Sequence, residues 1–227
     1  MAAKNKKSSP PAKRILIVDD HPMLRTGLAQ LINHEPDLKV IAEADNAGQA
    51  INAVAKNKFD LALLDISLPD KSGLELIKDI RALRPELPVL VVSMHDEMIY
   101  AERVLRAGAR GYIMKQEGGK NFLRAIRQVL SGQVFVSEMM SARILEVFSG
   151  RQPGNSSSPV RNLSDREFEV FRLIGQGLGS RVIADQLHLS IKTIEVHRAN
   201  IKEKLGLKTA TELVRYAVRW VDSEEQH

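Results

Sequence analysis

Residues 61–73 read L-A-L-L-D-I-S-L-P-D-K-S-G, four apolar residues that end on Asp65 and are followed by Pro69 and Gly73. An apolar run without alternation suits a strand buried on both faces, and such strands belong to parallel sheets covered by helices. Working outward, runs of the same kind recur at 15–18, 40–42, 89–92 and 112–114. Helical apolar spacing fills the intervals at 22–33, 47–57, 73–84, 97–107 and 120–130. This alternation predicts an α/β domain, a doubly wound five-stranded parallel sheet with helices on both faces. Pro69, Pro85, Pro88, Gly108 and Gly111 are expected in its connections, where helix continuation would be costly.

After residue 130 the pattern changes. A further helix is expected at 135–148, and 150–159 reads G-R-Q-P-G-N-S-S-S-P, too poor in apolar surface to pack and therefore a flexible linker. Beyond it every segment reads as helix: 165–175, 180–187, 191–205 and 210–221. Ser164 with Glu167 and Thr209 with Glu212 match the capping box, Ser180 and Ser190 are suitable N-caps, and Gly206 can end the third of these helices. The expected organisation is a basic extension over 1–12, an α/β domain over 13–130, a linker over 131–160 that is helical and then flexible, and a small all-α domain over 161–227.

The chain has no cysteine, which excludes a disulfide framework, a cysteine-based zinc site and a thiol nucleophile. Hydrophobic residues at 44% and charged residues at 27% give enough apolar surface for a real core. No apolar run approaches the length of a membrane span, and the basic N-terminus lacks the apolar stretch of a signal peptide, so a cytoplasmic protein with no membrane partner is expected. The net charge of +5 invites a nucleic-acid reading, but its distribution weakens that inference. Residues 1–14 carry five of the 33 basic groups and no acid, which accounts for the whole excess. What survives is local, five basic against two acidic side chains over 188–208.

In a doubly wound sheet, ligands bind beyond the carboxyl ends of the strands, beside the point where strand order reverses. Asp19 and Asp20 follow the first predicted strand and Asp65 the third. With strand order 2-1-3-4-5 these strands are neighbours, and three carboxylates converge on one rim. Ser93 after the fourth strand and Lys115 after the fifth bring a hydroxyl and an ammonium to the same place. Crowded carboxylates repel one another unless a cation neutralises them, and Mg²⁺ is the hard, oxygen-seeking candidate. Asp65 would then be a carboxylate nucleophile for a phosphoryl group, with Mg²⁺ and Lys115 sharing the equatorial charge and Ser93 hydrogen-bonding the attached group. Each residue taken singly is an ordinary loop or capping residue. The joint register with five strands is what argues for a site. His21 and His95 lie near this rim and are expected not to be ligands, since two histidines without a third ligand are poor evidence for zinc.

V-D-D at 18–20, L-L-D-I-S-L-P-D-K-S-G at 63–73, V-V-S at 91–93 and G-A-R-G-Y-I-M-K at 108–115 resemble the receiver domain of bacterial two-component response regulators, a flavodoxin-like fold. The resemblance implies that Asp65 is the phosphoacceptor, loaded by a sensor histidine kinase. It also implies that Asp20, Asp65 and the Ile66 carbonyl hold Mg²⁺, with Asp19 assisting through a water on the metal. Lys115 would contact the phosphoryl group, and Ser93 and Tyr112 would be the pair that rearranges on phosphorylation. One departure is that Lys115 is followed by Q-E-G-G rather than by a proline or a capping residue.

In the C-terminal part, His188, Leu189 and Ser190 join two helices with a turn of helix-turn-helix length. On the second of them Ile191, Ile194, Ile201 and Leu205 mark the buried stripe, and the charged opposite face could enter a major groove or simply meet solvent. L-S-D-R-E-F-E-V-F-R-L-I-G-Q-G-L at 163–178 and L-S-I-K-T-I-E-V-H-R-A-N-I-K-E-K-L-G at 189–206 resemble the LuxR-type DNA-binding domain, which with a receiver makes the NarL/FixJ subfamily. Carried over by position, Glu195, Val196 and Ala199 would face bases of promoter DNA, and Lys192, Thr193, His197, Arg198 and Lys202 would lie on or near the phosphate backbone. Glu195 stands where lysine is frequent and can accept from cytosine N4, so it should alter sequence preference or lower affinity.

Leu213, Val214, Ala217, Trp220 and Val221 form an apolar face on the last helix, either the small domain's own core or, by resemblance, partly the homodimer contact of the active protein. In that picture the receiver covers the DNA-binding domain in one state, and phosphorylation favours release. Two other readings remain open at this point. One is a three-aspartate Mg²⁺ phosphohydrolase capped by the helical domain, against which stands Ser67 where an acid/base would be needed two residues after Asp65. The other is a DNA-binding regulator that works without phosphorylation.

Overall fold

The computed structural model describes residues 11–148, 159–187 and 189–225. The basic extension up to residue 10, the polar stretch 149–158 and His188 lie outside the described residues. Strands β1 (Lys13–Val18), β2 (Leu38–Ala44), β3 (Leu61–Leu64), β4 (Val89–Ser93) and β5 (Gly111–Met114) form one parallel sheet in the order β2-β1-β3-β4-β5. They alternate with α1 (Pro22–Asn33), α2 (Ala47–Lys56), α3 (Gly73–Leu83), α4 (Glu97–Ala107) and α5 (Gly119–Leu130).

The helices divide between the faces. Leu28, Ile32, Phe122 and Ile126 cover one side with Ile15, Ile17 and Leu63, while Val54, Ile77, Ile80 and Val104 cover the other with Leu16, Val18 and Leu64. Adjacent residues of β1 thus feed opposite layers, which is why that strand reads as an unbroken apolar run.

Gly111 is a strand residue, not a connection. Phe135 bridges it in parallel, and a Cβ on Gly111 would stand 2.7 Å from the Phe135 carbonyl oxygen. The helix foreseen from 135 therefore starts later, as α6 (Glu138–Phe148). It packs against the α/β layer, with Met140 buried and Glu97 of α4 accepting the Ser137 N–H at 2.8 Å. The start of α5 carries no side-chain cap; Gly118 occupies that position.

The C-terminal part opens with a 3₁₀ turn (Pro159–Asn162) and continues with α7 (Asp165–Gly175), α8 (Ser180–Gln186), α9 (Ile191–Leu205) and α10 (Ala210–Glu225). Both capping boxes form: Ser164 and Glu167 satisfy each other's backbone N–H groups, and Glu212 accepts from Thr209 N while Thr209 Oγ1 accepts from Glu212 N. Ser190 caps α9, and Gly206 ends it in the left-handed conformation at φ 67°. Ser180 does not cap α8, because Gly179 holds the N-cap position and the Ser180 hydroxyl turns to Glu195 instead. Ile191 is 48% exposed and leaves the buried stripe of α9 to Ile194 and Ile201.

Phe168, Phe171 and Trp220 interlock α7 with α10, with ring centroids 5.5 Å apart in both tryptophan pairs. This gives Trp220 and the buried Leu213, Ala217 and Val221 a place in the local core, while Val214 stays exposed.

The two parts dock through α3 and α4 on one side and α7 and the 3₁₀ turn on the other. Arg103 of α4 is almost fully buried and donates to the carbonyls of Leu163 at 2.8 Å, Val160 at 3.1 Å and Arg161 at 3.4 Å, while its guanidinium lies 4.4 Å from the centroid of the Phe168 ring. Lys78–Asp165 at 2.9 Å and Arg166–Glu75 at 3.0 Å flank this contact.

Candidate functional site

The ladder of the sheet sets the rim. Asp65 N donates to the Val18 carbonyl at 2.8 Å and Lys115 N to the Ser93 carbonyl at 2.8 Å, so the residue after each strand is held by its neighbour. Asp19 and Asp65 are buried, and Asp20 is partly open. Lys115 Nζ lies between the first two, 2.8 Å from Asp19 Oδ2 and 2.7 Å from Asp65 Oδ2. Burial raises the pKa of Asp65 above that of an ordinary aspartate, against the pull of Lys115. Burial works against the Lys115 ammonium too, but Asp65 and Asp19 outweigh it and hold the lysine above its usual value.

The donor set fits a hard cation. Ligand atoms of Asp19, Asp20, His21 and Asp65 all lie within 4.8 Å of one another. Asp19 Oδ2 and Asp20 Oδ1 are buried oxygens without a well-formed hydrogen bond, although Lys115 Nζ and His21 Nδ1 come close to them. Three carboxylates around the one Lys115 ammonium leave the cluster short of positive charge, which a hard cation would supply. The Ile66 carbonyl accepts the Gly73 N–H at 2.9 Å and keeps a second lone pair.

Ser93 and Tyr112 are both fully buried, and both bond to His95. The His95 N–H donates to Ser93 Oγ at 3.2 Å, and the Tyr112 hydroxyl donates to the His95 carbonyl at 2.6 Å. The expected members of the rim are therefore brought together. His21, expected not to be a ligand, joins the acidic cluster, and His95 joins Ser93 and Tyr112. Ser67 sits above Asp65, donating its N–H to Asp65 Oδ1 at 3.2 Å and placing its hydroxyl 2.9 Å from His95 Nε2.

At the other end, Lys192, Glu195, Val196 and Ala199 are exposed on α9, and Thr193, His197, Arg198 and Lys202 are half-buried. Glu195 is held from two helices: Ser180 of α8 donates to it at 2.6 Å, and Arg198 Nε of its own helix lies 3.8 Å away. The α/β part docks on α7, and Lys192, Glu195, Val196 and Ala199 of α9 stay exposed in this arrangement.

An acidic pocket with a buried lysine at the rim of a doubly wound sheet, joined to a helix-turn-helix domain, defines a signal-responsive DNA-binding protein. Comparison with known proteins agrees. Residues 15–127 match the family model for the response regulator receiver domain, and residues 161–217 that for bacterial regulatory proteins of the luxR family. The oxygen regulatory protein NreC of Staphylococcus aureus is 38% identical over 210 residues, covering 91% of this chain and 97% of NreC. Among solved structures, RcsB of Salmonella enterica serovar Typhimurium bound to promoter rprA with the phosphomimetic BeF3− is 27% identical with a TM-score of 0.71, covering 91% of this chain and 98% of RcsB. Another RcsB structure, from Salmonella typhimurium, gives 26% and 0.72, covering 92% and 98%. The chain belongs to the DNA-binding response regulators of two-component systems, with a receiver domain and a LuxR-type helix-turn-helix domain. This family regulates transcription by binding DNA, which sets aside the phosphohydrolase reading. No helix among the described residues is long and apolar enough to cross a membrane.

Proposed function

We propose that Asp65 accepts a phosphoryl group from a sensor histidine kinase and that this event controls promoter binding by a cytoplasmic homodimer. Asp19, Asp20, Asp65 and the Ile66 carbonyl would hold Mg²⁺, which supplies charge neutralisation for the transferring group. A carboxylate oxygen of Asp65 forms the new bond to phosphorus as the phosphorus–nitrogen bond of the donor histidine breaks, and the imidazole keeps the electron pair. Lys115 shares the charge of the equatorial oxygens. Ser93 turns its hydroxyl toward the attached group, which removes the acceptor of the His95 N–H and so disturbs the contact that Tyr112 makes with the same residue. We assign the receiver to 13–130, the linker to 131–160, the DNA-binding domain to 161–227 and a basic extension to 1–12. On α9, Glu195, Val196 and Ala199 face bases and Lys192, Thr193, His197, Arg198 and Lys202 stand at the backbone.

The observation that carries this reading is the Lys115 ammonium bridging the Asp19 and Asp65 carboxylates beside the underbonded Asp20. Incubation with Mg²⁺ and labelled acetyl phosphate should place one label on the chain and none on Asp65→Asn; label retained by that variant would reject the assignment. One observation favours a second reading, DNA binding that needs no phosphorylation: the outward face of α9 is already open in the docked arrangement. Selection of bound DNA from a random pool, with and without phosphorylation, separates the two.

A further inference from the structure

A cavity of about 290 Å³ lies over Asp65, and its walls come from both domains: Asp65, His95 and Lys115 from the receiver, Arg172, Gln176 and Trp220 from α7 and α10. Arg172 Nη1 is 3.2 Å from Ser67 Oγ and 3.5 Å from His95 Nε2. Both partners are neutral acceptors, and none of the ion pairs among the described residues includes Arg172. A half-buried guanidinium thus projects from the DNA-binding domain into the phosphoacceptor cavity without a carboxylate to balance it.

We infer that Arg172 is a ligand of the phosphoryl group on Asp65, so that the DNA-binding domain reads the phosphorylated state of its own receiver by direct contact. The inference rests on Asp65 being the phosphoacceptor. The phosphoryl group carries about two negative charges, a net gain of about one over the Asp65 carboxylate, and brings three acceptor oxygens to a cavity lined by a guanidinium; arginine binds such oxygens through paired charge-assisted hydrogen bonds. Ser67, now the partner of Arg172, is the residue whose N–H already holds Asp65 Oδ1, so exchanging a serine hydroxyl for a phosphoryl oxygen asks little movement of α7.

The sign follows from linkage. A contact made only when the domains are docked and the phosphoryl group is present must strengthen docking on phosphorylation and prolong the phosphoryl group in the docked state. Phosphorylation therefore tightens this arrangement instead of releasing it, and leaves the outward face of α9 available. Water attacking phosphorus must approach from the cavity side, where Arg172 and Trp220 stand, so docking also screens the aspartyl phosphate from hydrolysis.

Trp220 lines the cavity and is the chain's one tryptophan, so its emission reports the contact in the full-length protein. Adding Mg²⁺ and BeF3− should make Trp220 less accessible to acrylamide quenching. Arg172→Gln should lose that protection and shorten the half-life of the labelled aspartyl phosphate about five-fold or more, with Arg172→Lys recovering part of both. Increased accessibility on adding BeF3−, or protection and half-life in Arg172→Gln equal to those of the parent, would overturn the inference. Failure of the parent protein to take label on Asp65 would instead overturn the phosphoacceptor assignment on which it rests.

Discussion

His95 is a neutral ring held among cations. It stacks on Tyr100 of α4 at 4.7 Å, touches the Ser67 hydroxyl, and is faced by Arg172 of α7 and by Lys115 beyond β5. Burial, then Arg172, then Lys115 push its pKa from the usual 6.5 down to about 4. A group whose folded pKa is depressed contributes stability that is complete above the unfolded value and disappears as pH falls through the folded one. The window here is pH 6.5 to 4, and the stability at stake is about 3 kcal/mol at most. Denaturant unfolding at a series of pH values should show this loss in the parent and a flatter profile in His95→Asn; equal slopes would place the acid sensitivity elsewhere. None of this was legible in the sequence. Asp19, Asp20, Asp65, Ser93 and Lys115 announce themselves because each follows an apolar run, and the ladder fixes such positions. The Arg172 partner of His95 comes from α7, 77 residues away in the chain, and residue spacing carries no signal for a contact between domains.

At the scale of single elements, local pattern and observed structure agree most closely where both faces of a strand or a clear cap decide the matter. β3, α1, α4, α7 and α9 fall on the expected bounds, while the start of α6 is displaced by a tertiary contact at Phe135, which Gly111 captures as a bridge partner. The loop from Asp65 to Gly73 shows the same logic in reverse. A Cβ on Gly73 would stand 2.5 Å from Ile66 Cα and 2.8 Å from the Asp65 carbonyl, backbone atoms that cannot rotate away. Gly73→Ala must therefore push the Asp65 loop off its position, and, with Asp65 as the proposed phosphoacceptor, acetyl phosphate labelling should fall about ten-fold or more, since small misplacements of reacting groups cost rates of that order or greater. Labelling at the parent rate would show that the loop yields without harm. The α4 contact is equally specific. Arg103→Met keeps the aliphatic bulk over Phe168 but removes every donor to the Val160, Arg161 and Leu163 carbonyls. Losing charge-assisted hydrogen bonds to partly desolvated carbonyls costs about 3 kcal/mol. The expected result is a calorimetric trace in which one cooperative transition splits into two, the domains unfolding separately; an unsplit transition would show that Lys78–Asp165 and Arg166–Glu75 suffice to couple them.

For the whole molecule the relation between docking and DNA decides what phosphorylation can do. The receiver holds α7 and the approach to it, and Lys192, Glu195, Val196 and Ala199 of α9 stay exposed, so the proposed DNA contacts of that face can be tested by its own chemistry. Lys202 and Val196 test that chemistry by different routes. Lys202 sits on the face assigned to phosphate, where a lost cation weakens binding to every sequence alike and reduces the salt dependence, lowering the slope of log affinity against log salt by about 0.9 for one phosphate contact per protomer. Val196 is 52% exposed on the face assigned to bases, and Val196→Ala removes apolar surface without changing charge. It should leave the salt slope as it was and alter which sequences are selected. Titrations at several salt concentrations on a selected site and on unrelated DNA give both quantities for each variant. A slope change in Val196→Ala, or sequence relaxation without a slope change in Lys202→Ala, would exchange the two roles and turn α9 about its axis in the groove.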